Sequence, residues 1–333
     1  MQALRRHIGL FVLALSLAAP PACGPITMTI GGSAADKPLM STVVETDGGW
    51  LPDRVAMVDV SGMLHNMPRR GILSIGENPA GLLHEKLKKA GDDGRVKAVL
   101  LRLNTPGGTV TASDAMYRQL VRFRKGSGKP IVVLMMDVAA SGGYYLSCAA
   151  DRIVAHPTSV TGSIGVILQT ISFKPAMDRL GIEAEAFTSG PNKDAGSPFS
   201  KLTDEHRQVL GAMVDDFYRR FVALVRRSRP NIAADRFGQV VDGRVYSGEA
   251  ALEAGLVDQV GDLYDAFALA KELAGIERAQ LVMYHRPNTP VRSPYAGAAA
   301  PVPAGGTQIN LAQINFPQNL TGASAEFYYL WKP

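Results

Sequence analysis

From Val55 onward, apolar runs of strand length alternate with amphipathic stretches of helix length, the pattern of successive βαβ units. Strands are expected at Val55 to Val60, Val96 to Leu103, Ile131 to Met136, Ile153 to Ala155, Val166 to Ser172, Glu183 to Phe187 and Gln280 to Tyr284. Several are apolar at consecutive positions, as parallel strands covered on both faces are. Helices are expected near Ala80 to Ala90, Ala112 to Lys125, Gly142 to Ala150, Ser247 to Ala254 and Asp262 to Leu273. A longer helix over Asp204 to Arg227 puts Val209, Met213, Phe217, Phe221 and Leu224 on one face. The fold class is α/β, with a long helix in its C-terminal part.

The two ends break the pattern. Arg5, Arg6 and His7 precede an apolar run from Ile8 to Ala19, shorter than the roughly 20 residues a membrane-spanning helix needs, so residues 1–23 read as an export segment. The small residue Ala22 directly before Cys23 resembles the processing site of bacterial lipoproteins, which would make Cys23 a lipidated N-terminus. Pro20 stands where that pattern has an aliphatic residue, and a plain signal peptide with an incidental Cys is the other reading. Residues 24–52, rich in Gly, Ser, Thr and Asp, read as a linker, and 53–286 as the folded domain. In 287–333, Pro is interleaved with Ala and Gly before five large apolar residues, Phe327 to Trp331. That cluster is expected to dock as a strand on its own domain or on a neighbouring subunit.

Composition narrows the chemistry. Of 333 residues, 46% are hydrophobic and 20% charged, which is globular. The net charge of +5 is spread along the chain, so no nucleic-acid footprint is indicated. Two cysteines do not make a disulfide framework, and the six histidines show no metal-binding spacing, so neither a metal nor another cofactor is expected. Small-residue loops then stand out, because ligands of open α/β sheets bind at the carboxyl ends of strands. Asn104 to Gly108 follows one strand, and its glycines can leave amides free to face an oxygen. Ser141, in Ala139 to Tyr145, sits at a strand-to-helix turn as an exposed nucleophile or as a helix cap. Thr161 to Gly165 forms a third such loop, and Lys193 lies in a fourth, where a lysine is ordinarily solvated.

Taken together, NTPGG at 104 to 108, ASGGYY at 140 to 145, TGSIGV at 161 to 166, NKDAGSPF around Lys193 and GRVYSGEAALEAGLVDQVG at 243 to 261 resemble the signal peptide peptidase A family. These are bacterial serine peptidases on the crotonase fold shared with the Clp proteolytic subunit. The resemblance covers about Val55 to Ala274 and implies Ser141 as nucleophile and Lys193 as general base. It further implies the Gly108 amide in the oxyanion hole and Ser163 orienting the lysine. A lysine can take a serine proton only when neutral, and burial favours that form. The resemblance also implies a membrane-attached homo-oligomer whose dyads are shared between adjacent subunits, since one copy of the unit is present. Its substrates would be short hydrophobic peptides, chiefly remnant signal peptides. Two rival readings keep the fold: a crotonase-type acyl-CoA enzyme, which gives Ser141 and Lys193 no role, and a catalytically silent envelope scaffold.

Overall fold

Side-chain alternation along the strands separates two cores on opposite faces of one sheet. Ala56, Val58, Val99, Leu101, Leu103, Val133 and Met135 face one core; Val55, Met57, Ala98, Leu100, Val132 and Leu134 face the other. The computed structural model describes residues 37–67, 77–287, 289, 291–296 and 327–331. The sheet is built from β1 (Met40–Thr46), β2 (Asp53–Ser61), β3 (Val96–Thr105), β5 (Ile131–Ala140), β6 (Arg152–Ala155), β9 (Gln259–Val260) and β10 (Ala279–His285). Their spatial order is β1-β10-β2-β3-β5-β6-β9, parallel except for β1 at one edge. Three short strands branch from the carboxyl ends: β4 (Gly107–Thr109), β7 (Val160–Gly162) and β8 (Val245–Ser247).

Helices cover both faces, as a buried parallel sheet requires. On the first lie α1 (Pro79–Asp92), α2 (Val110–Ser127) and the C-terminal half of α5 (Asp204–Ser228), which buries Phe221, Leu224 and Val225. The second is covered by α8 (Leu263–Ala274), through Leu263, Ala266, Phe267 and Ala270. Between them come α3 (Gly142–Ser147), α4 (Lys174–Leu180), α6 (Ala234–Val240) and α7 (Gly248–Glu253). Capping explains several boundaries: Asn78, Thr109, Ser247 and Asp262 each accept a first-turn amide, and Gly128 and Gly275 end helices in the left-handed region.

Three expectations are corrected. Met40–Thr46, in the segment read as a linker, is the edge strand, antiparallel to β10, and Leu39 is buried beside it. Its exposed, polar alternation is what an edge strand shows, and that resembles a tether. Val166 to Ser172 and Glu183 to Phe187 are not strands, because no neighbour offers them a ladder; only Ile167 forms a bridge, to Tyr328. Past residue 286 the chain is still docked: Val291 is buried, and the guanidinium of Arg102, paired with Asp59 at 2.6 Å, donates to the carbonyls of Pro294 and Ala296. The aromatic cluster does add a strand to its own domain, β11 (Tyr328–Leu330), antiparallel to β4.

Close backbone approach explains the glycines at the end of β3. A Cβ on Gly108 would lie 2.0 Å from the Leu64 carbonyl oxygen, whereas one on the exposed Gly81 of α1 would meet nothing closer than 3.7 Å. Gly108→Ala is therefore expected to lower stability by about 1–3 kcal/mol, as overpacking does. Gly81→Ala should instead raise it by about 0.5–1 kcal/mol. Urea denaturation of the two variants checks the contrast.

Candidate active site

The loop after β3 is fixed from inside. Thr105, fully buried, donates through Oγ1 to the Gly62 carbonyl and accepts the Gly107 amide at 3.1 Å. The Asn104 side chain joins this loop to β5, donating to Asp137 and accepting the Val138 amide. Gly107, at φ 103°, turns the chain into β4 in a conformation that favours glycine. On one side of β4, Leu64 donates to the Gly107 carbonyl at 2.8 Å and accepts the Thr109 amide at 3.0 Å. The Gly108 amide and carbonyl therefore face the other side, where Tyr329 of β11 is its partner.

Ser141 stands at the turn from β5 into α3. It is 1% exposed, and its φ of 53° is rare for a residue with a side chain. Holding it there costs on the order of 1–3 kcal/mol and requires surrounding structure to impose it. That structure is visible: the Ser141 amide donates to the Gly162 carbonyl at 2.8 Å, and β7 pairs with the end of β5. The hydroxyl of Ser141 makes no capping bond to α3, so the helix-cap reading does not account for it. Gly142, the next residue, presses on β4 and α2; a Cβ there would lie 2.5 Å from the Ser113 hydroxyl and 3.1 Å from the Tyr329 carbonyl oxygen. A Cβ on Gly107 would lie 2.0 Å from that same oxygen and 2.7 Å from the Gly142 amide nitrogen. The carbonyl of Tyr329 thus sits among the backbones of Gly107, Gly108 and Gly142, beside the serine.

Beside this carbonyl is an aromatic pocket. The Tyr329 ring, fully buried, stacks on Tyr145 with centroids 5.1 Å apart, lies 4.8 Å from Phe221, and donates its hydroxyl to the Phe217 carbonyl. Phe217 also meets Phe327 edge-on at 5.1 Å. Tyr145 is fixed from behind by its hydroxyl, which donates to Asp114 at 2.9 Å; burial and that carboxylate both push the phenol upward. Asp114 is held below the usual carboxylate range by Arg118, Tyr145 and Arg220, which outweigh its burial.

Of the residues singled out in the sequence, Ser141, Gly108 and Ser163 come together. Ser163 follows the Gly162 that holds Ser141, shares the unusual conformation at φ 49°, and donates its amide to the Arg244 carbonyl at 2.7 Å. Lys193 does not join them: its side chain is exposed, and no hydrogen bond links it to Ser141 or Ser163 among the described residues. Its loop is tied to the start of α5, where His206 and Glu205 bond Pro191 and Asn192. That anchor precedes Phe221, which packs on Tyr145, by fifteen residues, about 22 Å along the helix. Cys23 lies outside the described residues. The Gly142 amide and the Tyr145, Phe217 and Phe221 pocket were not assigned from sequence; the ASGGYY motif contains two of them, but which faces meet is decided by packing. Among the described residues no three His, Cys, Asp or Glu side chains converge as a metal site would require.

Comparison with known proteins places the chain among peptidases. Residues 123–277, which include Ser141, Ser163 and Lys193, match peptidase family S49. The chain is 38% identical over 192 residues to a candidate protease of Methanocaldococcus jannaschii, covering 58% of this chain and 61% of that one. It is 32% identical over 244 residues to a candidate signal peptide peptidase SppA of Enterococcus faecium, covering 73% and 70%. With Protease 4 of Salmonella typhi it shares 34% over 231 residues, 68% of this chain but 37% of that one. The match thus spans about three fifths of the first of these relatives and little more than a third of the last. A mostly parallel sheet with helices on both faces, glycine amides at its strand ends and a strained serine beside them accord with these matches: the chain belongs to peptidase family S49, the signal peptide peptidase A family, with its crotonase and Clp-protease-like fold.

Proposed function

We propose that this peptidase is a serine endopeptidase in which Ser141 attacks a peptide carbonyl and Lys193 of an adjacent subunit takes and returns the proton. One observation carries the reading: a buried serine whose hydroxyl does not cap its helix adjoins the backbones, and with them the amides, of Gly108 and Gly142, which lie close to the Tyr329 carbonyl. Those amides would stabilise the oxyanion that forms on attack. The neutral amine of Lys193 would accept the Oγ proton and pass it to the leaving amine, with Ser163 orienting it.

The position of Lys193 supports a shared site. Its segment carries apolar side chains with nothing to bury them: Ile171, Leu180, Ile182, Phe187 and Phe199 are exposed, and α4 buries no residue. Val209 and Met213 in the first half of α5, the helix that anchors this segment, are exposed as well. Exposed apolar side chains concentrated in one segment favour an interface there, and a second copy packed on it would take Lys193 out of water. For substrates the reading is short hydrophobic peptides, remnant signal peptides among them, met by a domain held at the membrane through residues 1–23. No helix of the described residues is long and apolar enough to cross a membrane.

Ser141→Ala and Lys193→Ala are each expected to lower peptide hydrolysis by about 10³-fold or more without unfolding the protein, because members of a catalytic unit are not additive. When the two inactive proteins are unfolded and reassembled together one to one, about a quarter of head-to-tail interfaces pair an intact serine with an intact lysine. A return of about a quarter of the wild-type rate is expected; no rescue at any ratio would place both dyad members in one subunit. Cys23→Ser should release the protein from membranes on carbonate washing, and unaltered retention would rule out a lipid anchor. Cys148 supplies a control: burial pushes its thiol up to about 11, so little thiolate exists at pH 8. Iodoacetamide at that pH, and the Cys148→Ala change, should leave hydrolysis within about twofold of wild type, as a small volume change at a buried site allows.

A further inference from the structure

Between α2 and α5 lies a cavity of about 480 Å³ that peptide hydrolysis leaves unused. Arg118 and Arg122, one turn apart on α2, line it from one side; Arg220 and Arg227, two turns apart on α5, line it from the other. Asp114 is the one carboxylate among the lining residues, so four positive charges against one negative leave an excess of three. Like charges one turn apart weaken a helix, and a recess lined by one sign of charge concentrates its field on whatever enters. Such a grouping costs stability until an anion joins it.

The hydrogen bonds show how the cavity is arranged. Asp114 accepts the Nε of Arg118 at 2.7 Å, a terminal nitrogen of Arg220 at 3.4 Å and the Tyr145 hydroxyl at 2.9 Å. It therefore holds two guanidinium groups in place, and among the described residues the terminal nitrogens of Arg118 make no further bond. Arg122 and Arg227 make neither a hydrogen bond nor an ion pair among the described residues. Asp92 shares a second groove with Arg122, between α1 and α2, but is held by Lys88 at 2.6 Å. A guanidinium fixed through Nε with its terminal nitrogens free presents the fork that oxyanions fill, phosphate above all. An excess of three charges is more than one carboxylate would meet. The cavity is also larger than a phosphate alone, and Tyr117, Val121 and Ala223 give the rest of its wall an apolar surface.

We propose that this cavity is a binding site for a phosphate ester, with Arg122 and Arg227 as ligands free to meet it and Asp114 orienting Arg118 and Arg220 toward it. The recognised chemistry is a phosphate carried on a small organic group, whether the headgroup of an anionic phospholipid or a free phosphate ester. Tyr145 separates the site from Ser141: its hydroxyl is bonded to Asp114 on the cavity side, while its ring packs on Phe221. Binding here is thus independent of the serine chemistry and is measured without it.

Calorimetric titration of the full chain near physiological ionic strength tests the assignment. Three probes are used: glycerol 3-phosphate, dihexanoyl phosphatidylglycerol below its micelle concentration, and the zwitterionic dihexanoyl phosphatidylcholine at the same concentrations. They are titrated into the unaltered protein, into Arg122→Gln with Arg227→Gln, and into Lys125→Gln with Arg219→Gln. The last pair removes the same charge from the same two helices outside the cavity. At least one anionic probe should bind, and the cavity pair should weaken it about tenfold or more, as loss of charge-assisted hydrogen bonds does. The control pair should stay within about twofold, because charges in open solvent are screened. Binding of glycerol 3-phosphate alone identifies a free ester as the ligand; binding of the phosphatidylglycerol alone identifies a lipid headgroup. The altered side chains are exposed, and circular dichroism establishes that both variants are folded. Absence of binding by both anionic probes overturns the proposal. So does equal weakening by the two pairs, which would mark a diffuse basic surface, or phosphatidylcholine binding as tightly as the anionic probes.

Discussion

The site depends on backbone segments meeting where no side chain fits. Where Leu64, the turn after β3, β11 and the start of α3 meet, a Cβ on Gly108 would fall 2.0 Å from the Leu64 carbonyl oxygen, one on Gly107 2.0 Å from that of Tyr329, and one on Gly142 2.5 Å from the Ser113 hydroxyl. Parallel strands β2, β3 and β5 bring these turns to the same end of the sheet, and glycine alone lets them close. Once closed, the geometry leaves two amides without partners in their own elements. Leu64 takes one edge of β4, so the Gly108 amide is free to face the opposite side. Gly142 opens α3, and a first-turn amide has no carbonyl four residues behind it. The same closure imposes the positive φ of Ser141, since its amide is committed to Gly162 on one side and its carbonyl to Tyr145 on the other.

The elements that stack into the sheet were legible in the sequence because burial on two faces demands consecutive apolar residues. Val96 to Leu103 and Ile131 to Met136 could hardly be anything else, and they are the core of β3 and β5. The small-residue loops were legible by motif, and those of Gly108, Ser141 and Ser163 lie at the same end of the sheet. What was not legible follows from partners rather than from the residues. Val166 to Ser172 has the composition of a strand and lacks a neighbour, so it stays exposed apart from the bridge at Ile167. Met40–Thr46 has the composition of a linker and pairs because β10 presents an open edge. Lys193 belongs to the first kind: its role depends on what packs against its segment, and local sequence carries no information about that.

The aromatic pocket beside Ser141 is built from two helices. Tyr145 belongs to the helix that Ser141 opens, so the ring that contacts Tyr329 is rigidly coupled to that serine. Its hydroxyl, tied to Asp114, prevents the ring from collapsing into the space it helps to form. Phe217 and Phe221 arrive from α5, one turn apart, and complete the wall. Large planar side chains lose little rotamer freedom on burial and gain edge-on and stacked contacts of about 0.5–1.5 kcal/mol each beyond their area. A pocket of this composition favours an aromatic occupant over a small one by more than hydrophobicity alone would give.

Helix α5 therefore serves two ends of one problem. Its C-terminal half, through Phe217 and Phe221, forms the pocket that the chain's own strand occupies; its N-terminal half anchors the loop of Lys193 and presents Val209 and Met213 to solvent. A rod of 25 residues, about 37 Å long, transmits position faithfully between them. If a neighbouring copy docks on the exposed half, the base it brings and the pocket in which substrate sits are referred to the same rigid element. Assembly would then complete the catalytic pair without reshaping the pocket. On the shared-site proposal the two requirements for turnover would be separable, and a peptidase whose Ser141 and Lys193 meet only across subunits would stay silent until a second subunit and a fitting peptide were both present.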